Sequence, residues 1–98
     1  MKIIYVDIDN TICNTIGAKF DQAVPYLDRI QKINDLYEAG NAIIYWTARG
    51  TTMQIDYREL TEKQLKSWGA KYTALKMGKP YFDLFIDDRN INSDEYFK

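Results

Sequence analysis

Apolar residues along this chain fall into short runs, and several runs end abruptly in polar groups. Lys2-Ile3-Ile4-Tyr5-Val6 is β-branched and apolar on both faces, the pattern of a strand buried on both sides of a parallel sheet. It stops at Asp7-Ile8-Asp9-Asn10-Thr11. Ile12 to Val24 keeps no period and predicts an irregular stretch. Pro25 suits the first turn of a helix; Leu27, Ile30, Ile33, Leu36 and Tyr37 then recur at helical spacing, with Gly40 as the stop. Ala42-Ile43-Ile44-Tyr45-Trp46 predicts a second strand, ending in Thr47-Ala48-Arg49-Gly50. Met53 to Trp68 predicts a second helix, with Ile55, Leu60, Leu65 and Trp68 on one side and Gly69 after it. Tyr72 to Leu75 reads as an edge strand, Leu84-Phe85-Ile86 as a further strand ending in Asp87-Asp88-Arg89, and Ser93 as the cap of a final turn.

Apolar strands alternating with helical stretches are the signature of parallel βαβ units. Right-handed crossovers would set the strands side by side with helices on both faces. The expected fold is therefore α/β, a small Rossmann-like three-layer αβα sandwich with a mainly parallel sheet. One connection is short: Lys76 to Phe82 alone separates the edge strand from the last one. Parallel crossovers usually take a dozen or more residues. Seven extended residues reach roughly 23 Å, so a trimmed connection without its own helix is expected.

The chain has 98 residues and reads as one domain, with a 46% hydrophobic and 14% aromatic content that can fill a core. The net charge of −1 gives no general electrostatic reason to bind nucleic acid or an acidic membrane. No run approaches the apolar length of a membrane span, and Asp7 and Asp9 interrupt any signal-like N-terminus. Cys13 is the single cysteine, which fits a reducing cytoplasm, and histidine is absent. Ser-His-Asp and Cys-His mechanisms and His-based zinc sites are thereby excluded.

Parallel strands would bring Asp7, Asp9 and Thr11, then Thr47 and Arg49, then Asp87 and Asp88 to one edge of the sheet, where open α/β sheets hold their ligands. Carboxylates converging there repel one another unless a cation sits among them, and oxygen-rich surroundings favour Mg²⁺. A lysine and a threonine beside such an ion make a phosphoryl pocket. Asp7 could attack phosphorus as a carboxylate nucleophile, and Asp9 could shuttle the proton.

Asp7-Ile8-Asp9-Asn10-Thr11 resembles the D-x-D-x-T first motif of the haloacid dehalogenase (HAD) superfamily phosphatases. Thr47 resembles the second motif, Lys79-Pro80 the third and Asp87-Asp88 the fourth, in the family's order from Ile3 to Asp88. The resemblance implies Asp7 as nucleophile and Mg²⁺ ligand, and Asp9 as acid/base and ligand through its backbone carbonyl. It makes Asp87 the third ligand with Asp88 in support. Thr47 and Lys79 would hold phosphate, with Asn10, Thr11 and Ala48 beside them. Asn10 replaces the family's usual Gly. Ile12–Val24 and Ala48–Met53, where relatives insert cap domains, are short, so a capless form is implied. The tail is similar to very small bacterial HAD proteins of capsule and surface polysaccharide biosynthesis. The implied activity is Mg²⁺-dependent hydrolysis of a phosphorylated sugar or related small metabolite.

Arg49 and Arg89 are candidates for substrate contact and equally for plain surface positions. Lys76 reads as a solvated loop lysine, although it lies close enough in sequence to compete with Lys79, and Cys13 is given no role. Within catalysis the alternative is a nucleic-acid end phosphatase, disfavoured by the near-neutral charge. Outside it stand a receiver-like domain, whose adjacent acidic pair would lie on the first strand rather than the last, and a non-catalytic phosphate-binding module. The small sheet's edges and the many aromatics allow association with a second copy.

Overall fold

The computed structural model describes residues 1–98. Its centre is a parallel three-stranded sheet in the order β1 (Ile3–Val6), β4 (Ala42–Trp46), β5 (Ala74–Lys76). The register pairs Val6 with Tyr45 and Tyr45 with Leu75. Helix α1 (Leu27–Glu38) connects β1 to β4, and α2 (Arg58–Ser67) connects β4 to β5. Between β1 and α1 lies a small antiparallel pair, β2 (Cys13–Asn14) with β3 (Val24–Pro25), bridged by a 3₁₀ turn at Phe20–Gln22. Helix α3 (Ser93–Tyr96) closes the chain.

Both crossovers step the same way across the sheet, so right-handed connections place α1 and α2 on the same face. That face holds the core: Val6, Ile43 and Tyr45 from the sheet meet Ile30 and Ile33 of α1 and Leu65 of α2. Buried Asn34 fastens α1 to the end of α2, its side chain accepting from the Lys71 N–H and donating to the Gly69 carbonyl, both at 2.8 Å. The opposite face carries Tyr5, edge-on to Trp46, and Ile3, which is 68% exposed. The arrangement is a compact α/β unit, and the expected helices on both faces are not both supplied by this chain. No helix is long and apolar enough to cross a membrane.

Several expected boundaries move for identifiable reasons. Pro25 lies in β3, paired with Cys13, and α1 begins only after it, at Leu27. The second helix starts at Arg58 rather than Met53 because the Ile55 N–H turns back to the Gly50 carbonyl and Gln54 sits at φ 55°. Gly50 is required there: at φ 79° a Cβ would lie 1.8 Å from the Ile55 carbonyl oxygen. The edge strand shifts to Ala74–Lys76, and the cap of the last turn is Asn92, which accepts from the Asp94 N–H, rather than Ser93.

The largest departure is Leu84-Phe85-Ile86, which forms no strand and pairs with nothing in the sheet. Leu84 is 74% and Ile86 85% exposed.

Replacing Asn34 with Ala would leave the Gly69 carbonyl and the Lys71 N–H without their partner. Unsatisfied groups of this kind cost about 1–3 kcal/mol, so urea unfolding should show a loss of that size; an unchanged midpoint would contradict the role given to Asn34.

Candidate active site

The first strand delivers its acidic pair through a buried anchor. Ile8 is fully buried, and its carbonyl accepts from the Thr11 and Ile12 N–H groups at 3.1 and 2.9 Å, closing a tight turn. Side chains alternate along an extended chain, so Asp7 and Asp9 both point away from Ile8, toward an open cleft. Asn10 occupies the left-handed region at φ 61°, and its side-chain oxygen accepts from the Thr15 N–H. Asn tolerates this conformation better than most side chains.

The cleft has a volume of about 490 Å³ and lies beyond the carboxyl ends of β1 and β4. Asp7, Asp9, Ala48, Lys79, Tyr81 and Phe82 are among its walls. Its size suits a small metabolite. The Lys79 ammonium is 3.4 Å from the Asp7 carboxylate, and the Thr11 hydroxyl donates to the other Asp7 oxygen at 3.1 Å. Lys79 is aimed by its backbone N–H, which donates to the Thr47 carbonyl, and by the faces of Trp46 and Phe82 against its ammonium. Lys76 points elsewhere, onto the Tyr5 hydroxyl and ring.

Arg49 sits differently from either sequence expectation. Its side chain is 0% exposed and grips Asp9 with two parallel bonds, Nε to Oδ2 at 2.9 Å and Nη2 to Oδ1 at 2.8 Å. Its remaining nitrogen donates to Thr61 and Gln64 of α2, and Phe20 lies across the guanidinium plane. Arg49 is thus a buried clamp on Asp9, neither a free surface group nor a side chain extended to substrate. The Thr15 hydroxyl adds a third bond to Asp9, at 2.6 Å.

Thr47 is buried, its hydroxyl accepting from the Arg49 N–H, so it shapes the turn after β4. Arg29 braces the first motif from α1, donating to the Thr11 carbonyl at 3.0 Å. Thr15, Gln64, Phe20 and Arg29 were not candidates by sequence: Thr15 lies in the aperiodic stretch just after the first motif, and the other three reach the site from more distant segments. Cys13 is buried under the turn, and burial pushes its thiol above the usual range, which suits a packed rather than a reactive group.

The expected carboxylates of the last segment are not brought to this place. Asp87 and Asp88 are exposed on the unpaired arm, Asp87 accepting from the Arg89 N–H, and Arg89 faces solvent beside Asp88. They do not line the cleft. The physical reason is the unformed strand before them. No cluster of three carboxylates, histidines or cysteines able to hold a metal ion exists within the chain. The Asp7 carboxylate, paired with Lys79, and the Asp9 backbone carbonyl do not by themselves fit the Mg²⁺ that the resemblance implies, because the third ligand it assigns, Asp87, is not beside them.

No protein-family model and no curated protein matches the sequence. Solved structures do match. A crystal structure of a target from Vibrio cholerae has a TM-score of 0.87 and 24% identity, over 99% of this chain and 88% of that one. Two structures of the Pnkp1/Rnl/Hen1 RNA repair complex contain chains with TM-scores of 0.62 and 0.63 at 20% and 24% identity. This chain spans 29% and 33% of their lengths. At these identities the likeness shows a shared fold.

Removing one partner of a buried, hydrogen-bonded ion pair typically costs about 3–5 kcal/mol. Arg49→Met should therefore lower stability by about that amount, and Arg49→Lys should recover little, because an ammonium cannot reproduce the two-pronged contact. Denaturant unfolding of both variants checks this, and a wild-type midpoint in Arg49→Met would contradict the clamp.

Proposed function

We propose that the cleft hydrolyses phosphate monoesters through an aspartyl-phosphate on Asp7. The observation that carries the reading is the Lys79 ammonium held 3.4 Å from the Asp7 carboxylate at the carboxyl edge of a parallel sheet. A phosphate dianion approaching a carboxylate meets repulsion, and a fixed ammonium between them offsets it. One Asp7 oxygen would attack phosphorus as the bond to the leaving oxygen breaks and that oxygen takes a proton. Water would then attack the acyl phosphate, releasing inorganic phosphate and restoring the carboxylate.

Asp9 is the proton carrier of this scheme. Both its oxygens are engaged by Arg49 and one also by Thr15, so proton transfer requires one of these bonds to open as substrate enters. The D-x-D-x-T resemblance supports the assignment to the HAD phosphatases, in a capless, Rossmann-like form. Mg²⁺ belongs to that assignment only if a further carboxylate joins Asp7; the steps above use this chain's own side chains. A phosphorylated sugar or related metabolite in a reducing cytoplasm is the preferred substrate class, on the size of the cleft and a net charge of −1. Phosphorylated RNA or DNA ends are the second reading, favoured by the fold likeness to chains of an RNA repair complex. Relative kcat/KM for sugar phosphates and for phosphorylated oligonucleotides decides between them.

Asp7→Asn should abolish phosphatase activity. Loss of a charge-stabilising donor typically costs about 10²–10³-fold, so Lys79→Ala should lose kcat/KM on that scale. Lys76→Ala should stay near the parent, since its ammonium rests on Tyr5. Steady-state kinetics on folded variants checks all three, and a Lys76→Ala loss exceeding that of Lys79→Ala would contradict the placement of the phosphate site.

A further inference from the structure

The outer edge of β1 is unpaired. The arm after Pro80 carries Leu84-Phe85-Ile86, an apolar run exposed to water and immediately followed by Asp87. Laid parallel to β1 with Leu84 level with Ile4, this run would set Asp87 beside Asp7. The chain's own arm cannot take that place. The Thr47 N–H donates to the Lys76 carbonyl and its carbonyl accepts from the Lys79 N–H, both at 3.0 Å, which pins Lys79 on the β5 side of β4.

Ile4 pairs with Ile43, four residues below Thr47. Leu84 would have to descend about 13 Å and cross three strand spacings, about 14 Å, a direct separation of about 19 Å. That line runs through β4 and β1 themselves. The five steps from Lys79 to Leu84 cover about 17 Å at full extension. The arm's far end is also fixed to its own body, through the Arg29–Asp94 ion pair and the packing of Phe97 against the core.

We propose that two copies exchange these arms: Leu84-Phe85-Ile86 of each adds as a parallel strand to the free edge of the other's β1, and its Asp87 completes the other's site. A link too short to close on its own domain favours exchange with a second copy. The exchange would pair two open strand edges and withdraw Ile3, Leu84, Phe85 and Ile86 of both copies from water. It also answers the metal question, because Asp7 would gain the carboxylate that its own chain does not bring. This last part rests on the phosphatase reading; the exchange itself does not.

The test uses the full chain. Light scattering at micromolar concentration should give twice the 11.5 kDa chain mass. With Cys13 replaced by Ala, chains carrying only Tyr5→Cys should be co-refolded with chains carrying only Phe85→Cys, circular dichroism confirming that each folds. Oxidation should then yield a disulfide dimer containing one of each. Asp7→Asn and Asp87→Asn, each inactive alone, should regain activity when co-refolded, because a mixed dimer rebuilds one intact site. A monomer, or a dimer that forms no such bridge, would overturn the exchange. An active parent whose two variants fail to complement would overturn the composite site. A bridged dimer whose parent hydrolyses no phosphate ester would uphold the exchange and reject the phosphatase reading.

Discussion

The arrangement depends on one buried guanidinium. Arg49 leaves the turn after β4 and spends its nitrogens on Asp9 at the end of β1 and on Thr61 and Gln64 of α2. Gln64 in turn donates to the Phe20 carbonyl, and the Phe20 ring covers the guanidinium. Two strand ends, a helix and the segment between β2 and β3 are thus fixed to one another at a single charge. A buried ion pair gains little over apolar packing but costs a great deal to break. Its contribution is therefore positional: it sets where the second carboxylate of the acidic pair stands relative to the first.

The two carboxylates consequently live in different surroundings. Asp9 is held by a buried guanidinium, whereas Asp7 faces an ammonium and a hydroxyl at the open cleft. Unequal environments are how one pair of like groups takes on two roles. Asp7 is the more accessible member, which is the position the proposed nucleophile requires. Trp46 and Phe82 add a second constraint, since aromatic faces against the Lys79 ammonium restrict where its charge can go.

Much of this was legible in the sequence where the signal was local. The apolar runs at Ile3–Val6 and Ala42–Trp46 became the parallel pair, and Asp7-Ile8-Asp9 was placed correctly at its end because alternation about one buried residue is a property of the strand alone. Long-range partnerships were not legible. Nothing near Arg49 in sequence announces Gln64 or Phe20, and a run of Met53, Ile55 and Leu60 imitates a helix although Gly50 and Gln54 hold its start in a turn. Leu84-Phe85-Ile86 has the composition of a buried strand, yet burial also needs a neighbour within reach of the chain. The short link from Lys79 withholds that neighbour, and with it the expected place of Asp87 and Asp88.

The central claim is that Asp7 becomes phosphorylated during turnover, and chemical trapping of that residue tests it most directly. The protein would be mixed with a reactive phosphoryl donor, quenched in acid, treated with borohydride and digested for mass spectrometry. An acyl phosphate on Asp7 is reduced to the alcohol, so the account predicts homoserine at position 7 and unchanged aspartate at position 9. Reduction confined to another carboxylate, or none under conditions where phosphate is released, would contradict it.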